Sequence, residues 1–208
     1  MMHKRAGIVK LVSIRYNIGM NQTGRIASLI ERLGNLLRVE ERASGEGLLP
    51  VHVQMLSYLS VCNRYSDTPA AVTEFVGATK GTSSQSIAVL ERKGFLRKRP
   101  DGADGRVVHL GLTAKGRRFV ENNFPPDAFG AAIGKMKPGD RASLARLLTG
   151  LLSSLQKGNG GRTFGVCHTC RYFRRDTLPD SHQCGLTLEP LSGDESMKIC
   201  REHERPAA

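Results

Sequence analysis

DTPAAVTEFVGATKGTSSQSIAVLERKGFLRKRPDGADGRVVHLGLT, residues 67–113, is the stretch whose reading decides the fold. Thr68 followed by Pro69 is a helix start. A hydroxyl stands at the N-cap, and the imino acid suits the first helical position because its missing N–H had no partner there. The helix runs to about Val76, and Gly77 lets the chain turn. A second helix opens near Thr79. Ser83, Ile87 and Leu90 recur at i, i+4 and i+7 on its inward face, and Gly94 stands where a left-handed residue closes a helix. Two short helices joined by a glycine-bearing turn make a helix-turn-helix.

The outward face of the second helix carries Gly81, Gln85, Ala88 and Arg92, flanked by Thr82 and Ser84. Small, hydrogen-bonding side chains at a helix N-terminus can enter a major groove and meet base edges, while Lys80 and the first-turn N–H groups meet phosphate. Phe95–Arg99 and Arg106–Leu110 read as two short strands, and the segment Pro100–Gly105 between them is dense in turn formers. This predicts a hairpin with basic shoulders, a wing. The candidate DNA contacts are therefore Thr79, Lys80, Thr82, Ser84, Gln85 and Arg92 on the helix, with Arg99, Asp104 and Arg106 in the wing. Asp104 and Arg106 are read as an ion pair at the wing tip that aims the arginine.

Net charge agrees with that reading through its placement more than its size. The whole chain carries +12, and residues 79–118 hold ten Lys and Arg against three acidic residues. Residues 160–208 hold seven of each. Basic charge gathered on a reading head is the footprint of a phosphate-backbone partner. A solvated basic face is the bland reading of any such run; its coincidence with the motif favours DNA.

The run Thr79–Gln85, the helix exit Leu90-Glu-Arg-Lys-Gly94-Phe-Leu96, and the tip Asp104-Gly-Arg106 followed by Leu112-Thr113-Ala-Lys-Gly116 resemble the winged helix-turn-helix of the MarR family of bacterial transcription regulators. The resemblance covers residues 21–156, roughly, in order. It implies a mainly α fold with a small β-wing and a helical dimerisation region. It further implies a homodimer on a palindromic operator in double-stranded DNA, with recognition helices in successive major grooves and wing arginines in the flanking minor grooves. A small-molecule effector in the cleft between dimer interface and reading head is also part of the family's behaviour.

The rest of the chain is organised around this head. Residues 1–20 have four basic and no acidic side chains and match no part of the pattern. They are read as a disordered basic arm, or as a stretch ahead of a true start at Met20. Residues 21–157 are the winged-helix domain with its dimerisation helices. Ile26, Leu29, Ile30, Leu33, Leu36 and Leu37 keep helical period in its first helix, and Pro50 opens a second with Val51, Met55, Leu56 and Leu59 inward. Thr113–Asn122 restarts a helix, which Pro125 and Pro126 break. Leu144, Leu147, Leu148, Leu151, Leu152 and Leu155 mark one face of the helix opened by Pro138. That ridge is too apolar to lie bare and is expected to pair with the first helix across a two-fold axis. Cys62 reads as a small buried hydrophobe. No run is long enough for a membrane helix and no signal peptide is recognisable, so a cytoplasmic protein is expected.

Gln156–Gly161 reads as a flexible break before a tail, residues 158–208, that holds four of the five cysteines. In a cytoplasmic chain, Cys167, Cys170, Cys184 and Cys200 argue for metal or redox work before disulfides. A Cys-x-x-Cys turn presents two thiolates to one ion, and two further cysteines complete a tetrahedron, with His203 as a substitute ligand. Structural zinc is the leading reading, because so short a segment with few large apolar groups needs a metal to fold. An iron–sulfur cluster and an oxidisable dithiol are the alternatives. His3, His52 and His109 stand without an acid or nucleophile at useful spacing, so no catalytic constellation is expected. A regulator binding DNA, most simply a repressor, is the first functional reading. A module in which winged helix and metal tail dock a protein partner is the second.

Overall fold

The computed structural model describes residues 21–43, 46–102, 104–158, 162–178 and 181–206. The basic arm 1–20 and Asn159, Gly160 and Gly161 of the break lie outside the described residues.

Helix α1 (Gln22–Ala43) is capped by Asn21, whose Oδ1 accepts the Gly24 N–H at 2.8 Å. Its apolar period is as expected. Ile26, Leu29, Ile30, Leu33 and Leu36 nevertheless keep 43–52% of their surface exposed.

From residue 46 the chain builds the reading head. Helix α2 (Pro50–Val61) begins on its proline, and His52 Nδ1 accepts the Leu49 N–H at 3.1 Å, satisfying one of the amides a helix start leaves open. Helix α3 (Pro69–Val76) is capped by Thr68 Oγ1, which accepts from Ala71 N, and ends at Gly77 with φ of 65°. Helix α4 (Lys80–Arg92) follows, capped by Thr79. The core forms where their inward faces meet. Val53, Met55, Leu56 and Tyr58 of α2 pack with Ala71, Val72, Ile87 and Leu90. Each large aliphatic side chain so buried contributes about 1.5–3 kcal/mol.

The wing is β1 (Leu96–Pro100) paired antiparallel with β2 (Val108–Leu112), Leu96 opposite Leu112. The second strand starts two residues later than its pattern predicts, for a physical reason. Val107 N donates to Asp104 O and Asp101 N to Val107 O, both at 2.9 Å, so residues 104–107 are consumed in the turn. Phe95 likewise leaves the strand and becomes fully buried core. Leu110 N donates to Asp67 O at 2.6 Å and fastens the wing to the entry of α3.

Helix α5 (Ala114–Asn123) is capped by Thr113 and sends Phe119 and Val120 into the core. A short helix α6 (Asp127–Gly134), not expected from the sequence pattern, follows the two prolines. Helix α7 (Pro138–Gly158) carries the leucine ridge, whose six members are 36–61% exposed. Among the described residues no helix is long and apolar enough to cross a membrane.

The tail is more folded than its composition suggested. It runs through β3 (Gly165–Val166), a 3-10 turn Cys167–Thr169, β4 (Phe173–Leu178), β5 (Ser181–Cys184), β6 (Pro190–Leu191), α8 (Gly193–Ser196) and β7 (Ile199–Cys200). Strand β3 pairs with β7, and β4, β5 and β6 form a small antiparallel sheet. This unit grips the corner between α2 and α3. Asn63 N donates to Ile199 O at 2.9 Å, Arg201 N to Ser66 Oγ at 2.8 Å, and Arg64 Nη2 to Pro190 O at 2.7 Å. Phe164 stacks edge-on against Phe75 and Tyr58, with ring centroids 5.3 and 6.0 Å away.

Candidate functional site

The second helix of the motif presents the face the sequence predicts. Ser83, Ile87 and Leu90 are buried, while Lys80, Gly81, Thr82, Ser84, Gln85, Ala88 and Arg92 are exposed. Thr79 has a structural duty: its Oγ1 accepts the Thr82 N–H at 3.2 Å and lies 3.0 Å from the Thr82 hydroxyl. The two threonines thus fix the helix start, and the remaining first-turn amides point outward with the positive end of the helix dipole. Between α3 and α4 lies a cleft of about 500 Å³ lined by Lys80, Ser84, Lys98, Glu74 and Arg201. Arg201 comes from the tail and was not foreseen as a neighbour of the reading helix.

The wing tip is the expected ion pair. Arg106 Nε and Nη2 meet the two Asp104 carboxylate oxygens at 3.0 and 3.1 Å, and the Arg106 amide donates to the same group. The arginine side chain is 91% exposed, so the pair sets its direction without covering it. Its hydrogen bonds hold the Asp104 carboxyl below the usual carboxylate range.

Not all of the basic charge faces outward as a free surface. Lys93 Nζ donates to Glu46 O at 2.6 Å, and Lys115 pairs with the Glu46 carboxylate at 3.1 Å while lying 4.2 Å over the Phe95 ring. Lys98 pairs with Glu91 at 2.7 Å, and Arg117 donates to Leu112 O at 2.8 Å. These cations hold the wing and α5 onto the head. Lys80, Arg92, Arg97 and Arg99 are exposed.

His109 corrects the expectation that no histidine outside the tail has an acid partner. Its Nδ1 lies 2.5 Å from Asp67 and its Nε2 3.1 Å from Asp101. The hydrogen bond to Asp67 raises the imidazole above its ordinary range, and that to Asp101 adds to it. Burial pushes the Asp67 carboxyl upward, against the opposing pull of His109. Asp67 stands at the entry of α3, whereas His109 and Asp101 belong to the wing. Linear spacing could not have shown the cluster, because Asp67 is 42 positions away. His52 is a core histidine, and burial pushes its imidazole below the ordinary range.

In the tail, Cys167, Cys170, Cys184 and Cys200 come from four segments and line one cavity of about 40 Å³. Tyr172, Phe173, Leu186 and Leu191 supply its apolar wall. Asn63 Nδ2 donates to Cys167 Sγ at 3.1 Å, and Glu204 N to Cys170 Sγ at 3.4 Å. The hydrogen bond between the Cys167 and Cys200 side chains lowers the Cys200 thiol and raises its partner. All five cysteines are free. Among the described residues no group of three or more His, Cys, Asp and Glu side chains is arranged to hold a metal ion. His203 is corrected as a substitute ligand. Thr163 Oγ1 lies 2.7 Å from its Nδ1 and Thr169 Oγ1 2.9 Å from its Nε2, so both ring nitrogens are engaged. The ring lies flat on Gly165, where any Cβ would stand 2.5 Å from it. Cys62 is buried at the end of α2 beside Ile199, and burial pushes its thiol up to about 12.

Residues 46–107 match the family model described as the MarR family. An HTH-type transcriptional regulator of Bacillus subtilis, YwaE, is 32% identical over 81 residues. That match spans 39% of this chain and 46% of the relative, less than half of its length. Among solved structures, FabT of Streptococcus pneumoniae, in complex with DNA, is similar at 25% identity with a TM-score of 0.52 over 66% of this chain and 99% of FabT. A MarR/EmrR family regulator from Acinetobacter sp. ADP1 shares the fold at 19% identity, with a TM-score of 0.54 over the same shares of each chain. The helix pair and wing are the fold these structures share, and the part of the chain that carries them, residues 46–107, is similar to the MarR family.

Proposed function

We propose that this protein is a sequence-specific regulator of transcription that binds double-stranded DNA as a homodimer and acts as a repressor. The observation that carries the reading is the outer face of α4. Its first two turns offer Lys80, Ser84 and Gln85 to solvent on a helix clamped from behind by a buried core, beside a wing whose arginine is aimed by Asp104. A rigid helix with short polar side chains on its leading turns fits a major groove, and an exposed arginine on a hairpin fits the minor groove alongside. The complex of FabT with DNA supports the same partner.

Dimerisation follows from the apolar ridges of α1 and α7. A contiguous run of half-exposed leucines is a surface that a second copy of the chain covers, and a two-fold axis on a symmetric protein gives a palindromic operator.

The test is fluorescence anisotropy with operator fragments recovered by selection from random duplexes, titrated across salt concentrations. Wild type is expected to show a steep negative salt slope, about 0.9 per phosphate contact. Gln85→Ala should cost about 1–3 kcal/mol on the selected site and flatten its preference for one base pair. Arg106→Ala should weaken binding and reduce the slope by about one contact. Duplex binding that is absent, or indifferent to salt and to both substitutions, would refute the reading and leave the head as a protein-docking surface.

A further inference from the structure

We propose that Cys167, Cys170, Cys184 and Cys200 form a tetrathiolate site for one thiophilic divalent ion of the zinc class, and that this ion staples the tail to the back of the reading head. The argument starts from what the tail lacks. Among its described residues the buried ones are Cys167, Leu191, Ser196, Cys200 and His203, so Leu191 is the single large aliphatic side chain fully inside. One leucine removes too little apolar surface from water to offset the ordering of some forty residues. Segments of this size that fold do so with a disulfide, a metal or a borrowed core. The cysteines are free. The borrowed contacts, Phe164 on Tyr58 and the main-chain bonds to the 62–66 corner, hold the rim of the tail and leave its centre to the thiols.

The placement of those thiols gives an ion four sulfurs to gather. They arrive from the 3-10 turn, its exit, the end of β5 and strand β7, and they share a single cavity. The Cys170 amide donates to Cys167 O at 2.9 Å, the tight turn that sets two sulfurs of a Cys-x-x-Cys on one side. Two N–H donors are already directed at sulfur, from the Asn63 side chain and the Glu204 backbone. A neutral thiol has little need of such donors; a metal-bound thiolate is stabilised by them, as ligands generally are by the groups hydrogen-bonded behind them. The surrounding wall of Tyr172, Phe173, Leu186 and Leu191 is apolar, which strengthens metal–thiolate attraction.

The cavity of about 40 Å³ has room for one ion drawing four sulfurs inward. One Cys-x-x-Cys pair with two distant cysteines suits such an ion and lacks the dense run of a ferredoxin. The four thiols line one cavity, and among the described residues no group of three or more stands ready to hold an ion, so binding requires their convergence, with loss of the thiol protons to solvent. Asn63 gives the site its link to the head: one side chain at the α2–α3 corner accepts the Tyr65 N–H at 3.2 Å and donates to Cys167.

The experiment uses the full-length chain, purified without chelator and without added metal. Elemental analysis is expected to find about one zinc per chain with neither iron nor sulfide. Titrating the metal-free protein with Co²⁺ should give the intense thiolate-to-metal absorption and visible bands of a tetrahedral site, and zinc should displace them. Cys184→Ser should lower zinc affinity by more than about tenfold, whereas Cys62→Ser, outside the cavity, should leave it unchanged. If Cys184→Ser does not fold, the Co²⁺ titration of the wild-type chain decides alone. Absence of bound zinc together with no cobalt spectrum, or equal effects of the two substitutions, would overturn the site. Iron with sulfide and a brown chromophore would overturn the single-ion assignment. None of these readouts depends on DNA binding.

Discussion

Gly116 offers the sharpest test of how the wing is joined to the helix after it. Thr113 N donates to Phe95 O at 3.0 Å, Thr113 Oγ1 donates to Gly94 O at 2.6 Å, and the same hydroxyl accepts from Gly116 N at 3.1 Å. This knot draws the first turn of α5 against the exit of α4 so closely that a Cβ on Gly116 would lie 2.1 Å from Phe95 O. Side-chain carbons keep at least 3.0 Å, so Gly116→Ala has to open the contact by about 0.9 Å. The obstacle is a backbone carbonyl that already accepts from Thr113, and no side chain can rotate aside. Opening the gap stretches both threonine bonds and lifts Phe119 from its edge-on contact with Phe95, whose ring centroids are 5.4 Å apart. Overpacking of this kind costs about 3 kcal/mol, which for a chain of this length corresponds to a fall in Tm of about 6–12 °C. The assay is thermal unfolding followed by circular dichroism, with Gly130→Ala as reference. Gly130 lies inside α6 with nothing within 4 Å of its added carbon, so that change should stabilise by about 0.5–1 kcal/mol. A Gly116→Ala protein melting with or above wild type would show that α5 does not sit on the Phe95 carbonyl, and the reasoning would fail.

Further outcomes follow from individual contacts. Because the folded-state pKa values of both His109 and Asp67 are raised, the native state binds more protons than the unfolded chain there, and stability falls as pH rises. The histidine contribution should be fully present below its ordinary value of 6.5 and lost as pH climbs through the raised one. His109→Gln should cost about 1–3 kcal/mol at pH 6 in urea titrations and abolish the slope above 6.5; an unchanged slope would exclude the cluster as its source. Ser83 Oγ is buried in the reading helix with no hydrogen-bond partner among the described residues, so Ser83→Ala should be neutral or stabilising by up to about 1 kcal/mol, and a loss beyond that would reveal a hidden partner. Asn63→Ala removes the donor to Cys167 and should weaken metal retention about 10–100-fold in competition with a chromogenic chelator, while unchanged retention would detach Asn63 from the site.

What the sequence revealed was local. Thr68 with Pro69, Thr79, Gly77 and Gly94 act within a turn of where they stand, and the structure uses each as its chemistry suggests. The inward stripe of α4 was legible for the same reason, since helical period needs no distant partner. The wing slipped by two residues at its second strand because Asp104 competes for the amides that strand pairing would have used. Helix α6 was missed: eight residues between a proline pair and a turn with two lysines are too short a run to show a period. Contacts made over long separations were invisible. Asp67 finds His109 across the wing, Glu74 of α3 finds Arg201 at 2.8 Å, and His203 spends its nitrogens on two threonines. The four cysteines could be grouped by type, yet their seat on the α2–α3 corner depends on Asn63 and Ile199, residues with no signature.

That corner has a bearing on the order in which the molecule is made. Synthesis from the N-terminus delivers α2, the reading helix and the wing long before residues 199–201 leave the ribosome. Until then the Asn63 amide has no Ile199 carbonyl, Ser66 no Arg201 amide to accept, and the Tyr58–Phe75 pair no Phe164 above it. The nascent head therefore waits, with one corner unfinished, for a segment more than a hundred residues downstream, and only a chain translated to its tail acquires the completed support behind α3.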